Sequence, residues 1–134
     1  MPVIDHLGIT VTDLQRATAQ WDPILSTLGY SLQVWDDAVS WDKPDEIELI
    51  LYAARDESTA PHVHGRVGWQ HLAFALSSRA EVERLHGIAR EAGWEIVRAP
   101  KEYPRFSDRY YATFLEDADG IRIELVHNPP RTVS

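Results

Sequence analysis

The sequence contains no cysteine. Disulfides, thiolate metal sites and a cysteine nucleophile are therefore excluded, and a reducing, cytoplasmic setting is expected. No apolar run approaches the ~20 residues that span a bilayer, so no membrane partner is expected. Basic residues are scarce, 13 Lys and Arg against 21 Asp and Glu, for a formal net charge of −8. Binding a phosphate backbone needs clustered cations, so nucleic acid is not an expected partner. A cationic ligand would suit this charge, which also serves solubility. There is no P-loop, no Gly-rich dinucleotide fingerprint and no Gly-x-Ser-x-Gly elbow. Met1-Pro2-Val3-Ile4-Asp5-His6 has no basic region leading into an apolar one, so it does not read as a secretory leader.

What is present suits a single domain. The 134 residues are 44% hydrophobic and 25% charged, an ordinary globular balance. Residues 3–11 alternate as a strand. Asp13 or Thr12 can cap a helix whose apolar stripe is Leu14, Ala17, Trp21, Leu25 and Leu28, ending at Gly29. Pro23 predicts a kink or break near Asp22. Strands are expected at 30–35, 38–41 and 46–52. Residues 55–68 are polar and rich in turn formers and read as a connector. A strand follows at 69–76. Ser78-Arg79-Ala80-Glu81 is a capping box opening a helix that stops at Gly93. Strands at about 95–98, 110–115 and 121–126 complete the pattern, with Pro100–Asp108 as a loop. Asn128-Pro129-Pro130 ends regular structure, and the last few residues are expected to be loose.

The order strand, helix, three strands thus occurs twice. Asp5-His6-Leu7-Gly8-Ile9 aligns with Gln70-His71-Leu72-Ala73-Phe74, and Ile47-Glu48-Leu49-Ile50 with Ile123-Glu124-Leu125-Val126. The expected fold is α+β: two βαβββ modules, about 3–54 and 69–127, forming a curved mixed sheet around a cup with helices outside. His6, Glu48, His71 and Glu124 all alternate away from the large aliphatics, toward the hollow. A carboxylate inside an apolar strand needs a partner, because burying an unpaired charge is costly. Two imidazoles and one or two carboxylates suit Fe(II), Mn(II), Ni(II), Co(II) or Zn(II). Single His or Glu residues on strands are usually structural or solvated; the repetition singles these out.

Other candidates are weaker. His62-Val63-His64 has a metal-binding spacing but lies in the connector. His86 sits among charged helix residues, and His127 points away from Glu124. Asp117-Ala118-Asp119-Gly120 lacks the spacing of a calcium loop and reads as a hairpin turn. Glu48 or Glu124 could act as base. Arg109, Tyr110 and Tyr111 could orient a substrate, and Trp35, Trp41 and Tyr52 could line apolar walls.

The paired His-Leu-Gly-Ile-Thr-Val and His-Leu-Ala-Phe strands, with Tyr110–Phe114 and Asp117–Leu125, resemble the vicinal oxygen chelate superfamily, also called the glyoxalase/bleomycin resistance/dioxygenase group. The resemblance runs from about residue 3 to 127. It implies ligands from the first and last strands of each module, here His6, Glu48, His71 and Glu124. Extradiol dioxygenases and fosfomycin-modifying transferases of this kind use a His, His, Glu set, matching His6, His71 and Glu124. Glyoxalases and acyl-CoA epimerases use a fourth residue, where this chain has Glu48. The resemblance implies a metal-dependent enzyme on a small molecule that chelates the ion through adjacent oxygens, and a homodimer. The alternative is a non-catalytic, antibiotic-binding resistance protein that captures a cationic aromatic ligand. Pro23 departs from the group's pattern, and the chain has one module pair, so a two-domain extradiol enzyme is not matched.

Overall fold

Asp13 stands in extended conformation and its side chain accepts from the Arg16 amide at 3.1 Å. This satisfies a donor that a helix N-terminus would otherwise orphan. The helix that follows, α1 (Leu14–Thr27), comes after strand β1 (His6–Val11) and before β2 (Ser31–Val34), β3 (Ala38–Asp42) and β4 (Glu48–Ala53). The computed structural model describes residues 2–56 and 60–131. Residues 57–59 of the connector and 132–134 of the expected loose end lie outside them. The chain folds as two compact units, Met1–Pro61 and His62–Ser134.

In the first unit the strand order is β1-β4-β3-β2, with β1 and β4 parallel and the other pairs antiparallel. Ile9, Val11, Val39, Trp41, Leu49 and Leu51 are buried, as are Ala17, Trp21, Ile24 and Leu25 of α1. The Trp41 indole donates to Asp22 Oδ1 at 3.0 Å, tying β3 to the helix. The break expected at Pro23 does not occur: α1 continues through it to Thr27. An interior proline costs about 3 kcal/mol. Ile24 and Leu25, immediately beyond it, are 1% and 0% exposed, and each such burial contributes roughly 1.5–3 kcal/mol. Packing therefore outweighs the proline.

The second unit repeats the topology with β5 (Leu72–Ala75), α2 (Arg79–Glu91), β6 (Glu95–Glu102), β7 (Tyr111–Glu116) and β8 (Arg122–His127), in the order β5-β8-β7-β6. Ser78 caps α2 by accepting from the Glu81 amide at 3.1 Å. Val82, Leu85 and Ala89 pack that helix on Leu115, Ile123 and Leu125. Strand β6 runs to Glu102, four residues past its expected end, so Pro100 lies in a strand and not in a loop. It is tolerated there because β6 is an edge strand. Its pairing with β7 shifts register between Ile96 and Arg98 and again between Arg98 and Lys101.

The two units do not repeat in the register expected. In the first, Leu7 lies opposite Leu49 and Gly8 opposite Ile50. In the second, Leu72 lies opposite Ile123 and Ala73 opposite Glu124. With Leu7 and Leu72 matched, the counterpart of Glu124 is Ile50, and Glu48 corresponds to Arg122. The apolar periods of β4 and β8 are the same, so a slip of two residues preserves the alternation and is invisible to it.

Candidate metal and substrate site

Parallel pairing sets Glu124 beside Ala73, and antiparallel pairing sets it beside Phe114. Its side chain is 2% exposed. His71, just ahead of β5, turns Nε2 to within 3.1 Å of Glu124 Oε1. The Tyr110 hydroxyl donates to Oε2. Oε2 is thus hydrogen-bonded while Oε1 faces the imidazole, and a buried carboxylate is tolerated only with such partners. The Tyr110 phenol is pushed well above its ordinary range, first by burial, then by its hydrogen bond to Glu124 and that residue's charge. Tyr110 is therefore a fixed donor.

His71 is oriented from behind. Its Nδ1 donates to the Gln70 side-chain oxygen, so a neutral imidazole presents a lone pair from Nε2. The Gln70 amide in turn donates to His64 Nε2 at 3.3 Å. The ring of His71 meets Phe114 edge-on at 5.8 Å. The connector is pinned beneath this chain. His62 N donates to the Asp119 carbonyl at 2.7 Å, His62 Nε2 to the Trp69 carbonyl at 2.8 Å, and Trp69 Nε1 to the Arg122 carbonyl at 2.9 Å. Asp117 Oδ1 accepts from the Asp119 and Ile121 amides at 2.9 Å each, making the hairpin turn between β7 and β8.

A lone pair on Nε2 facing a carboxylate oxygen at 3.1 Å is repulsive. A proton on the imidazole resolves it, and so does a shared cation. Two ligands on one ion with bonds of about 2.1 Å stand roughly 3 Å apart when adjacent, so the pair fits a metal. Among the described residues, no group of three or more His, Asp or Glu side chains gathers to hold an ion.

The other sequence candidates are placed as follows. His6 and Glu48 are opposite one another across β1 and β4, and His6 Nδ1 is 2.7 Å from Asp5 Oδ2. Glu48 borders a first-unit cavity of about 340 Å³ with Trp35, Asp37, Ser40, Ile50 and Tyr52. Trp35 donates to Ser40 Oγ at 3.1 Å. Trp41 is 0% exposed and bound to α1, so it does not line this cavity. Arg109 is held by the Pro129 carbonyl at 2.8 Å and by Asp108. Tyr111 bonds Glu83 of α2 and carries the Arg79 guanidinium over its ring at 4.9 Å, on the face opposite Glu124. The structure thus brings together His71, Glu124 and Tyr110, and keeps Arg109 and Tyr111 apart from them. Gln70 was not foreseen; its adjacency to His71 was the only sequence signal.

The sequence pattern that defines the Glyoxalase/Bleomycin resistance protein/Dioxygenase superfamily matches residues 3–125. The chain belongs to this superfamily. Uncharacterized protein YqjT of Bacillus subtilis (strain 168) is 32% identical over 123 residues, covering 90% of this chain and 95% of that protein. A candidate glyoxalase from Bacillus halodurans superposes with a TM-score of 0.78 at 30% identity, covering 94% of this chain and 96% of that one. A glyoxalase/bleomycin resistance protein from Albidiferax ferrireducens T118 gives 0.77 at 22% identity, over 96% and 100%. The two βαβββ units are the superfamily's glyoxalase fold. Among the described residues, no helix is long and apolar enough to cross a membrane.

Proposed function

We propose that the protein is a divalent-metal-dependent enzyme acting on a small molecule that offers the ion two adjacent oxygens. The observation that carries this reading is the buried Glu124 carboxylate, held by Tyr110 and facing His71 Nε2 at 3.1 Å. His71 and Glu124 would hold the ion. The mixed nitrogen and oxygen donors suit Fe, Mn, Ni, Co or Zn. Bound there, such an ion supplies Lewis acidity that stabilises an enolate or oxyanion.

The chain's own residues have definable tasks in this reading. Gln70 keeps the Nδ1 proton on His71, leaving Nε2 free. Tyr110 keeps its proton on Oη and steadies Glu124 Oε2, so only Oε1 can bind the ion or take a substrate proton. His6 is the further ligand we propose on sequence grounds. We also take the protein to be cytoplasmic and a homodimer; light scattering on a sizing column tests the dimer directly. Elemental analysis of purified protein should find stoichiometric metal, and His71→Ala should remove it. Metal content unchanged in that variant would sink this reading.

A second reading rests on a different observation. The first-unit cavity combines exposed Trp35 and Tyr52 with Asp37 and Glu48, a lining that suits a flat cation by stacking and charge. Sequestration without chemistry would show as metal-free protein whose Trp fluorescence is quenched by a cationic aromatic ligand.

A further inference from the structure

In a regular strand Arg98 would share a face with Ile96. Ile96 pairs with Leu115, on the buried side toward α2. The register shift after Ile96 turns Arg98 over, so that it pairs with Phe114, the residue that also faces Glu124. Re-aiming a side chain in this way is a common role of a bulge. The carbonyl left by the irregularity is taken by Thr113 Oγ1 at 2.7 Å. The second shift restores the alternation, so Glu102 points back to Arg79 of α2. Lys101 meanwhile pairs with Ala112, on the Glu124 side.

Tyr103 follows on that same side. Its amide donates to the Tyr110 carbonyl at 3.0 Å. Its ring packs against Ala112 and Val126, edge-on to Phe114 at 5.7 Å and to Tyr110 at 6.0 Å. Lys101 Nζ lies 5.0 Å above it. The residue is 8% exposed, yet its hydroxyl has no hydrogen-bond partner among the described residues. A buried hydroxyl without a partner costs roughly 1–3 kcal/mol. Glu124 and Arg98 are close enough to act on this phenol in opposite senses, the carboxylate pushing its ionisation up and the guanidinium down, on top of the upward push of burial. Neither Arg98 nor Lys101 makes an ion pair among the described residues.

We propose that Tyr103, Arg98 and Lys101 form the substrate-recognition edge of the His71–Glu124 site, and that they select an anionic substrate whose carboxylate lies beside its reacting oxygens. The Tyr103 hydroxyl donates to a substrate oxygen, and the two cations supply the charge. The inference builds on the proposed metal-dependent function and specifies its substrate class. It runs against the whole-chain charge of −8, because the bulge gathers cations locally.

Benzoylformate carries adjacent oxygens, a carboxylate and a ring; benzoylformamide is its neutral counterpart. Calorimetric titration of the purified protein should show benzoylformate binding more tightly. Tyr103→Phe should weaken it roughly tenfold, as for a lost hydrogen bond to a charged group. Arg98→Gln should erase the preference for the anion. Thermal melts should stay at or above wild type for Tyr103→Phe, because that change deletes an unpartnered hydroxyl. Metal content should be unchanged in both variants. Benzoylformate binding that is absent from the wild type, equal to that of the amide, or undiminished in Tyr103→Phe overturns the proposal. Metal-free wild type that still prefers the anion, and loses that preference in the variants, overturns the metal reading and leaves this edge standing.

Discussion

Glu124 shows how a single residue turns a strand into a site. Its carboxylate is almost wholly buried, and the Tyr110 hydroxyl is what makes one of its oxygens tolerable there. Removing that donor in Tyr110→Phe should cost about 1–3 kcal/mol in metal-free protein at neutral pH, the usual cost of stranding a buried acceptor. The pH dependence follows from the burial of this phenol and, after it, from the same bond. Burial and Glu124 raise the Tyr110 ionisation above that of an unfolded tyrosine. A group raised in this way gives its full stabilisation below about pH 10 and loses it as pH climbs toward the folded value. For Tyr110 the fall reaches at most roughly 1.4 kcal/mol per pH unit in that window. Tyr30, Tyr103 and Tyr111 are raised too, so the wild type should lose stability steeply in alkali. Urea midpoints measured from neutral pH upward should fall less steeply in Tyr110→Phe. An unchanged alkaline slope would show that Tyr110 ionises as in the unfolded chain.

At the scale of elements, the β7–β8 turn and the connector act as one piece. Gly120 has φ of 77°, and a Cβ there would lie 2.0 Å from the His62 carbonyl oxygen. Gly120→Ala must therefore both strain the turn and push the connector off β8. Left-handed strain alone costs of order 1–3 kcal/mol, so a loss of at least about 2 kcal/mol is expected from thermal or urea unfolding. A variant as stable as wild type would mean that the connector yields freely. Elements of this kind were legible in the sequence to different degrees. The Asp13 and Ser78 caps, the helical stripe with Trp21 and Leu25, and the alternation of β4 and β8 are local signals, and they are found as expected. The continuity of α1 through Pro23 was not legible, because it depends on tertiary burial of Ile24 and Leu25. Nor was β6 beyond Arg98: edge position and bulges, not composition, decide that Pro100 belongs to a strand. Tyr103 lies just past β6, in the stretch expected as a loop, where no alternation tells which way a side chain faces. Glu124 and His71 stood out because a charge and an imidazole interrupt apolar alternation. Gln70 and Arg98 carry no such mark.

For the whole molecule, the two units share a topology, but the His–carboxylate pair of the second is not repeated in the first, and strand register is the cause. In the second unit the carboxylate opposite Ala73, two residues past His71, is the one that meets the imidazole. In the first, the residue opposite Gly8, two past His6, is Ile50. Glu48 is instead directly opposite His6 and borders the cavity with Trp35 and Tyr52. In the proposed reading, the second unit therefore carries the carboxylate on which ion binding would depend. Glu124→Gln keeps the shape of that side chain and an oxygen for Tyr110, but removes the charge, and it should abolish bound metal. Glu48→Gln should leave metal content at the wild-type level, while weakening any cationic aromatic ligand of the first-unit cavity, which would lose a carboxylate from its wall. Elemental analysis of the two variants in parallel decides the matter. Loss of metal from Glu48→Gln, or its retention in Glu124→Gln, would refute the assignment drawn from strand register.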